Sequence, residues 1–251
     1  LLTAGLVDPY SEIGITEVGL EKSTRDSEPG PGQPYRHDAV RPSFRIHDAY
    51  NPRSTLIPLA RYSGITSSLS VPTGGVVSGQ SAWVDMAGAT QKEAVVRSSA
   101  AVHVRLGGGE RSRAASMHIL ETLLSEAKTF RARRSDWEHA KSRPFYYSPL
   151  DLEAMAPVLD RKIPLAVQVN RASDIEALLR LIQRHRIRLV IVGGGEAWMH
   201  AKALAKAGVG VIVNPLIVGP QSFDQVHARA DNAALLHAAG VPVMISTFWA
   251  H

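Results

Sequence analysis

Residues 161–204, RKIPLAVQVNRASDIEALLRLIQRHRIRLVIVGGGEAWMHAKAL, constrain this chain more than any other stretch. Residues 163–169 form an apolar run of strand length, and Asn170, Arg171, Ala172 and Ser173 break it with polar groups suited to a helix start. From Asp174 onward, Ile175, Leu178, Leu179 and Ile182 recur at helical spacing opposite a basic face. A second apolar run at 189–192 stops at Gly193, Gly194 and Gly195, after which Glu196 opens another helix. Strand, helix, strand, helix with unbroken apolar strands predicts a parallel sheet covered on both faces. In such folds the ligand crevice lies just past the carboxyl ends of the strands. Gln168, Asn170 and Arg171 stand there after the first strand, and Gly194, Gly195 and Glu196 after the second.

Elsewhere the same alternation recurs less cleanly. Residues 1–7 read as a strand, followed by Asp8, Pro9, Tyr10, Ser11 and Glu12. In extended chain Asp8, Tyr10 and Glu12 share one side. Residues 21–43 are rich in Gly, Pro, Ser and charge, which suggests a lid or binding loop without core residues. Residues 51–54 cap a helix carrying Leu56, Ile57, Leu59 and Ala60, and strands are expected at 65–71, 81–86 and 101–106. Between the first two, Pro72, Thr73, Gly74, Gly75, Ser78, Gly79 and Gln80 make a glycine-rich turn system that lets backbone amides approach a ligand, although tight turning alone is the commoner use of glycine.

His103 and Arg105 share one face of the 101–106 strand, where a lone histidine is more often a satisfied core residue than a ligand. Gly107, Gly108 and Gly109 precede a helix with Arg111 and Arg113, an arrangement that can hold an anion but lacks the Lys–Ser/Thr ending of a phosphate loop. That helix, 111–130, carries Ala115, Ile119, Leu123 and Ala127 on its predicted inner stripe. A helix from 148, a strand at 210–213, a helix at 228–239 and a strand at 241–246 complete the series.

A length of 251 residues suits one (β/α)8 barrel, so a single domain over 1–251 is expected. With 45% hydrophobic and 20% charged residues the composition is that of a soluble globular protein, and no window has the apolar length to span a bilayer. The absence of Cys excludes disulfides and thiolate metal sites. The net charge of +5 is densest between Arg131 and Arg143. A solvated helix face explains it, and without a nucleic-acid motif no nucleic-acid partner is expected. Leu1 stands inside one apolar run and His251 just after another, as in a piece of a longer chain, and the compartment stays open between cytoplasm and periplasm.

Several collinear segments resemble the amidohydrolase superfamily, in its imidazolonepropionase-like branch. They are AGLVD at 4–8, NPRS at 51–54 with ARYSGIT at 60–66, KIP at 162–164 leading to NRASDI at 170–175, GGEAW at 194–198, PQSFD at 220–224, and the 231–241 stretch from Asp231 to Val241. The resemblance implies a distorted (β/α)8 TIM barrel of the metallo-dependent hydrolase type, together with an accessory β-sandwich from segments outside this chain. It also implies one or two divalent metals, such as zinc, whose bound water attacks a C–N bond while a strand Asp takes the proton. The family's first-strand His-x-His falls on Tyr10 and Glu12, the fifth-strand His on Gln168, the sixth-strand His within 193–195, and the catalytic Asp near Phe248. Only Glu12 suits a hard cation, and a catalytic zinc ordinarily needs three protein ligands, so no metal and no cofactor are expected. His37, His47, Glu196 and His251 are the residues that a rebuilt metal site would have to recruit.

Two main readings follow. In one, a degenerate member binds a small polar ligand through Tyr10, Gln168, Asn170 and Arg171, or serves as an assembly subunit beside a second copy or a partner chain. In the other, an active hydrolase of cyclic amides or related C–N bonds uses Glu12 or Glu196 as general base, with Arg171 or a loop amide on the oxyanion. A third, electrostatic binding of nucleic acid or membrane through 131–143, would show as steep salt dependence.

Overall fold

The structure is a computed structural model that describes residues 3–28, 39–107, 112–141, 143–217 and 219–248. Eight strands lie side by side in chain order: β1 (Leu6–Ser11), β2 (Ile65–Ser70), β3 (Val77–Asp85), β4 (Val95–Arg105), β5 (Leu165–Val169), β6 (Leu189–Gly193), β7 (Gly210–Val213) and β8 (Val243–Ile245). Strands β4 to β8 run parallel, and one row crosses all five: Val104, Val167, Ile191, Val211 and Val243. These β-branched side chains face outward into the main core, where helices cover them. On the other face Ala101, Ala166, Val190, Val192, Ile212 and Met244 fill the lumen. The Ser246 hydroxyl donates to the Tyr10 carbonyl at 2.8 Å, which draws β8 against β1 and nearly closes the sheet into a barrel.

Nine α-helical segments surround it among the described residues: α1 (Leu56–Tyr62), α2 (Gln91–Ala94), α3 (Arg113–Ala132), α4 (Arg134–Glu138), α5 (Pro149–Ala154), α6 (Ala156–Leu159), α7 (Ala172–His185), α8 (Ala201–Ala207) and α9 (Asn232–Ala238). Helix α7 buries Ile175, Leu178, Leu179, Leu181 and Ile182 and ends at Arg186, whose φ of 57° turns the chain out of the helix. Helix α8 ends the same way at Gly208, the residue type that adopts a left-handed conformation without steric cost. No helix among the described residues is long and apolar enough to cross a membrane.

The amino-terminal half departs from the expected pattern. β1 covers Leu6–Ser11 and not 1–7, so Asp8, Pro9 and Tyr10 lie within the strand. β3 and β4 are longer than the sequence suggested and pair antiparallel, as do β2 and β3, while β1 and β2 are parallel. A second, smaller core lies under this half, built from Ile13, Ile15, Ile46, Tyr50, Ile57, Val84 and Met86. The loop expected to lack core residues supplies Val40, 5% exposed, which bridges to Val77 and joins the main core. In α3 the buried face is Ser116, Leu120, Leu123, Leu124, Ala127 and Phe130. Of the predicted stripe, Leu123 and Ala127 are buried and Ile119 packs against the core, whereas Ala115 is exposed, because spacing alone does not say which of two adjacent rows meets the sheet.

Candidate functional site

The carboxyl ends of β4 and β5 and the end of β1 open onto a cavity of about 270 Å³ in the barrel mouth. β1 brings Tyr10, and Glu12 follows directly after the strand. Alternation along β4 puts Ala101, His103 and Arg105 on the lumen face, since Val102 and Val104 belong to the outer core. Gln168 of β5 lies in register with Arg105. Arg25, Thr73 and Gly74 come from the loops before and after β2, Ser78 from the start of β3, and Phe248 from the segment after β8. The glycine-rich turn system therefore does border the cavity, with Gly74 at a φ of 81°.

Tyr10 holds the centre of this group. Its ring meets His103 at 5.8 Å between centroids and Phe248 edge-on at 5.4 Å. Burial, then the nearby Glu12 carboxylate, push its hydroxyl up to about 12, with the Arg105 charge pulling the other way. The phenol is thus a neutral donor at ordinary pH. Glu12 accepts a hydrogen bond from the Thr16 hydroxyl at 2.9 Å. His103 is buried, its Nε2 has no hydrogen-bond partner, and desolvation pushes its pKa down to about 3. It was read from the sequence as a satisfied core residue, and it is core without being satisfied. The signal that marks it is its position two residues before Arg105 on a lumen-facing row.

Asp8 does not join Tyr10 and Glu12. The β1 register shifts between Asp8 and Ser11, and Asp8 lines a separate hollow of about 190 Å³ with Leu56, Leu59, Ser63 and Met86. Burial raises its carboxyl, against hydrogen bonds from Ser246 and the Tyr10 amide that lower it.

Glu196, a candidate general base, is engaged elsewhere. One carboxylate oxygen accepts the Ala172 amide at 2.9 Å, in the first turn of α7, and the other accepts the His227 amide at 3.0 Å. It joins the β5, β6 and β7 loops and does not line the cavity. Asn170 has a similar duty: its Oδ1 accepts the Gly195 amide at 3.1 Å and packs where a Cβ on Gly193 would stand, 2.6 Å away. Arg171 precedes α7 as its exposed cap residue. These three were expected in the ligand crevice and are not among the residues that line the cavity. Gly193, Gly194 and Gly195 offer no side chain, and Asn232 locks them by donating to the Gly194 carbonyl at 3.0 Å.

Arg113 leaves the predicted anion site for two carboxylates, Asp174 at 2.9 Å and Asp224 in direct contact. Gly108, Gly109 and Arg111 lie outside the described residues, as do His37 and His251. His47 faces Asp48 at 3.3 Å, and it is not among the cavity residues. Two residues of the basic stretch are paired on the surface, Arg131 with Asp160, and Arg134 with Glu138 at 2.9 Å and Glu153 at 2.8 Å.

The side chains of the mouth do not fit a divalent metal centre. They offer one carboxylate, one amide, a neutral phenol and a single imidazole, and among the described residues no three His, Asp or Glu side chains converge.

No protein-family model matches the sequence, and no curated protein does. Among solved structures, the chain is similar to an amidohydrolase from Thermotoga maritima MSB8, with a TM-score of 0.84 and 24% identity over 98% of this chain and 66% of the other. The two share an α/β fold with a nearly closed eight-stranded barrel, and this chain spans about two thirds of that protein's length.

Proposed function

We propose that this chain belongs to the amidohydrolase superfamily, nearest its imidazolonepropionase-like branch, and that its barrel mouth holds a small polar ligand instead of a catalytic metal. The observation that carries this reading is the make-up of the lumen. Where relatives with metal chemistry present imidazoles, Tyr10, Glu12 and Gln168 border a cavity large enough for a small molecule. The neutral Tyr10 hydroxyl donates, Gln168 both donates and accepts, and Arg105 offers charge at the entrance. Glu196, Asn170, Asn232 and Arg113 hold the loops that frame this opening.

One feature favours a second reading, hydrolysis of a C–N bond without the family's metal. Glu12 shares the cavity with Arg105 and Tyr10, so a carboxylate stands near two donors able to face a developing oxyanion. Metal content and hydrolysis of a cyclic-amide panel, with and without a chelator, separate the possibilities. The ligand-binding reading expects substoichiometric zinc, manganese and iron and no turnover. Chelator-resistant turnover lost in Glu12→Gln supports the second reading, and stoichiometric metal with chelator-sensitive turnover overturns both.

A further inference from the structure

Building on the reading of the lumen as a ligand site, we propose that His103 selects its occupant, and that the group it takes is uncharged: the primary amide of a small molecule, in which an N–H donor stands beside an acceptor. Among the described residues that line the cavity, only His103 has a side-chain nitrogen or oxygen that is both buried and without a hydrogen bond. An orphaned Nε2 is costly unless a group from outside the protein completes it. The charged residues of the wall do not set the class. Arg25 is paired with Glu28 at 3.2 Å, Glu12 accepts from the Thr16 hydroxyl, and Glu12 and Arg105 act on the Tyr10 hydroxyl in opposite directions.

What surrounds the ring does set it. His103 stands in register with Ala166 of β5, and the row continues through Val190 of β6 and Gly210 of β7. Ala101, on the same face of β4, adds to this apolar lining of the lumen. The row thus carries no charge to meet one on a ligand. A charged group taken to that depth loses its water without compensation, whereas a hydrogen-bonded neutral one loses little. Desolvation holds the imidazole itself uncharged at neutral pH, its pKa pushed down to about 3. Nε2 of a neutral imidazole is a donor in one tautomer and an acceptor in the other, and a primary amide answers either. The Tyr10 ring, 5.8 Å from the imidazole and met edge-on by Phe248, adds an aromatic wall against which a flat group packs.

The test uses the full chain with ¹⁵N-labelled histidine and two sets of isosteres that differ in charge: acetamide, acetate and acetamidinium, and benzamide, benzoate and benzamidinium. NMR titration at neutral pH gives each dissociation constant, and the imidazole ¹⁵N resonances that vanish in His103→Phe report contact with the ring. One amide or both should bind roughly tenfold or more tightly than either charged isostere and move the His103 signal. His103→Phe should weaken the amide roughly tenfold, whereas His103→Gln, which keeps a neutral donor and acceptor, should hold most of the affinity. The parent's own His103 signal decides the matter even if a variant fails to fold. A charged isostere that binds as tightly as its amide, or amide binding that leaves His103 unmoved, overturns the inference and spares the ligand site. Failure of all six compounds to bind removes both.

Discussion

Glu196 and His103 are each 4% exposed at the same end of the barrel, yet they stand in opposite conditions. Both Glu196 oxygens are occupied by backbone amides, from Ala172 and His227, and the residue lies outside the cavity. His103 has a buried nitrogen with nothing to bond, and its ring lines the cavity. A buried polar group that is fully bonded holds a fold together, whereas one left unpaired costs stability until a ligand or water meets it. The contrast sorts two residues that look equally functional by position into a structural one and a ligand-facing one.

The contrast is broken most directly by removing each. Glu196→Ala strips two buried amides of their acceptor, and we expect a loss of about 3 kcal/mol in urea unfolding. A loss near zero would mean that the loops re-bond without it. His103→Leu should stay within about 1 kcal/mol of the parent at pH 8, because no protein hydrogen bond is lost. Its effect depends on pH with a definite sign. The folded histidine has its pKa lowered to about 3 from an ordinary 6.5, so between those values the unfolded chain binds the extra proton. The parent therefore loses stability as pH falls below about 6.5, by about 1.4 kcal/mol per unit. His103→Leu removes that slope and should be about 2 kcal/mol more stable than the parent at pH 5. Parallel stability curves for the two proteins would show that the imidazole is not buried uncharged.

Smaller effects sharpen the same division. Arg113 ties Asp174 at the start of α7 to Asp224 in the loop after β7, with its side chain about one third exposed. Arg113→Ala should cost about 1 kcal/mol, with the deficit shrinking in high salt. Arg134, exposed like its two glutamate partners, should yield no measurable change in unfolding midpoint when replaced by Ala. A clear destabilisation there would point to a network reaching into the core.

The parallel half was legible because its strands are continuous apolar runs. β7 matched its predicted span, and β5, β6 and α7 matched within a residue or two, since burial on both faces leaves one pattern available. β2 also matched within a residue, but the antiparallel β3 and β4 did not. Those two strands contain Ser78, Gly79, Ser81, Ser98 and Ser99, so hydropathy showed only fragments of them. Asp8 and Pro9 read as a strand terminator, but a strand at the seam of a nearly closed barrel tolerates Pro, whose missing amide no ladder requires. In the site, Tyr10, Glu12 and Gln168 were placed at the mouth by the family resemblance, Gln168 also by its position at a strand end, and all three line the cavity. Glu196 was misjudged because position past β6 says nothing about which amides its carboxylate meets, and His103 because burial and bonding are separate facts.

A crystal of the full chain soaked with a library of small polar compounds tests the central claim most directly. The account predicts ligand density in the barrel mouth beside Tyr10, Glu12 and Gln168. An ion at about 2.1 Å from Glu12 and His103, or a lumen filled by water alone while the compounds bind elsewhere, would contradict it.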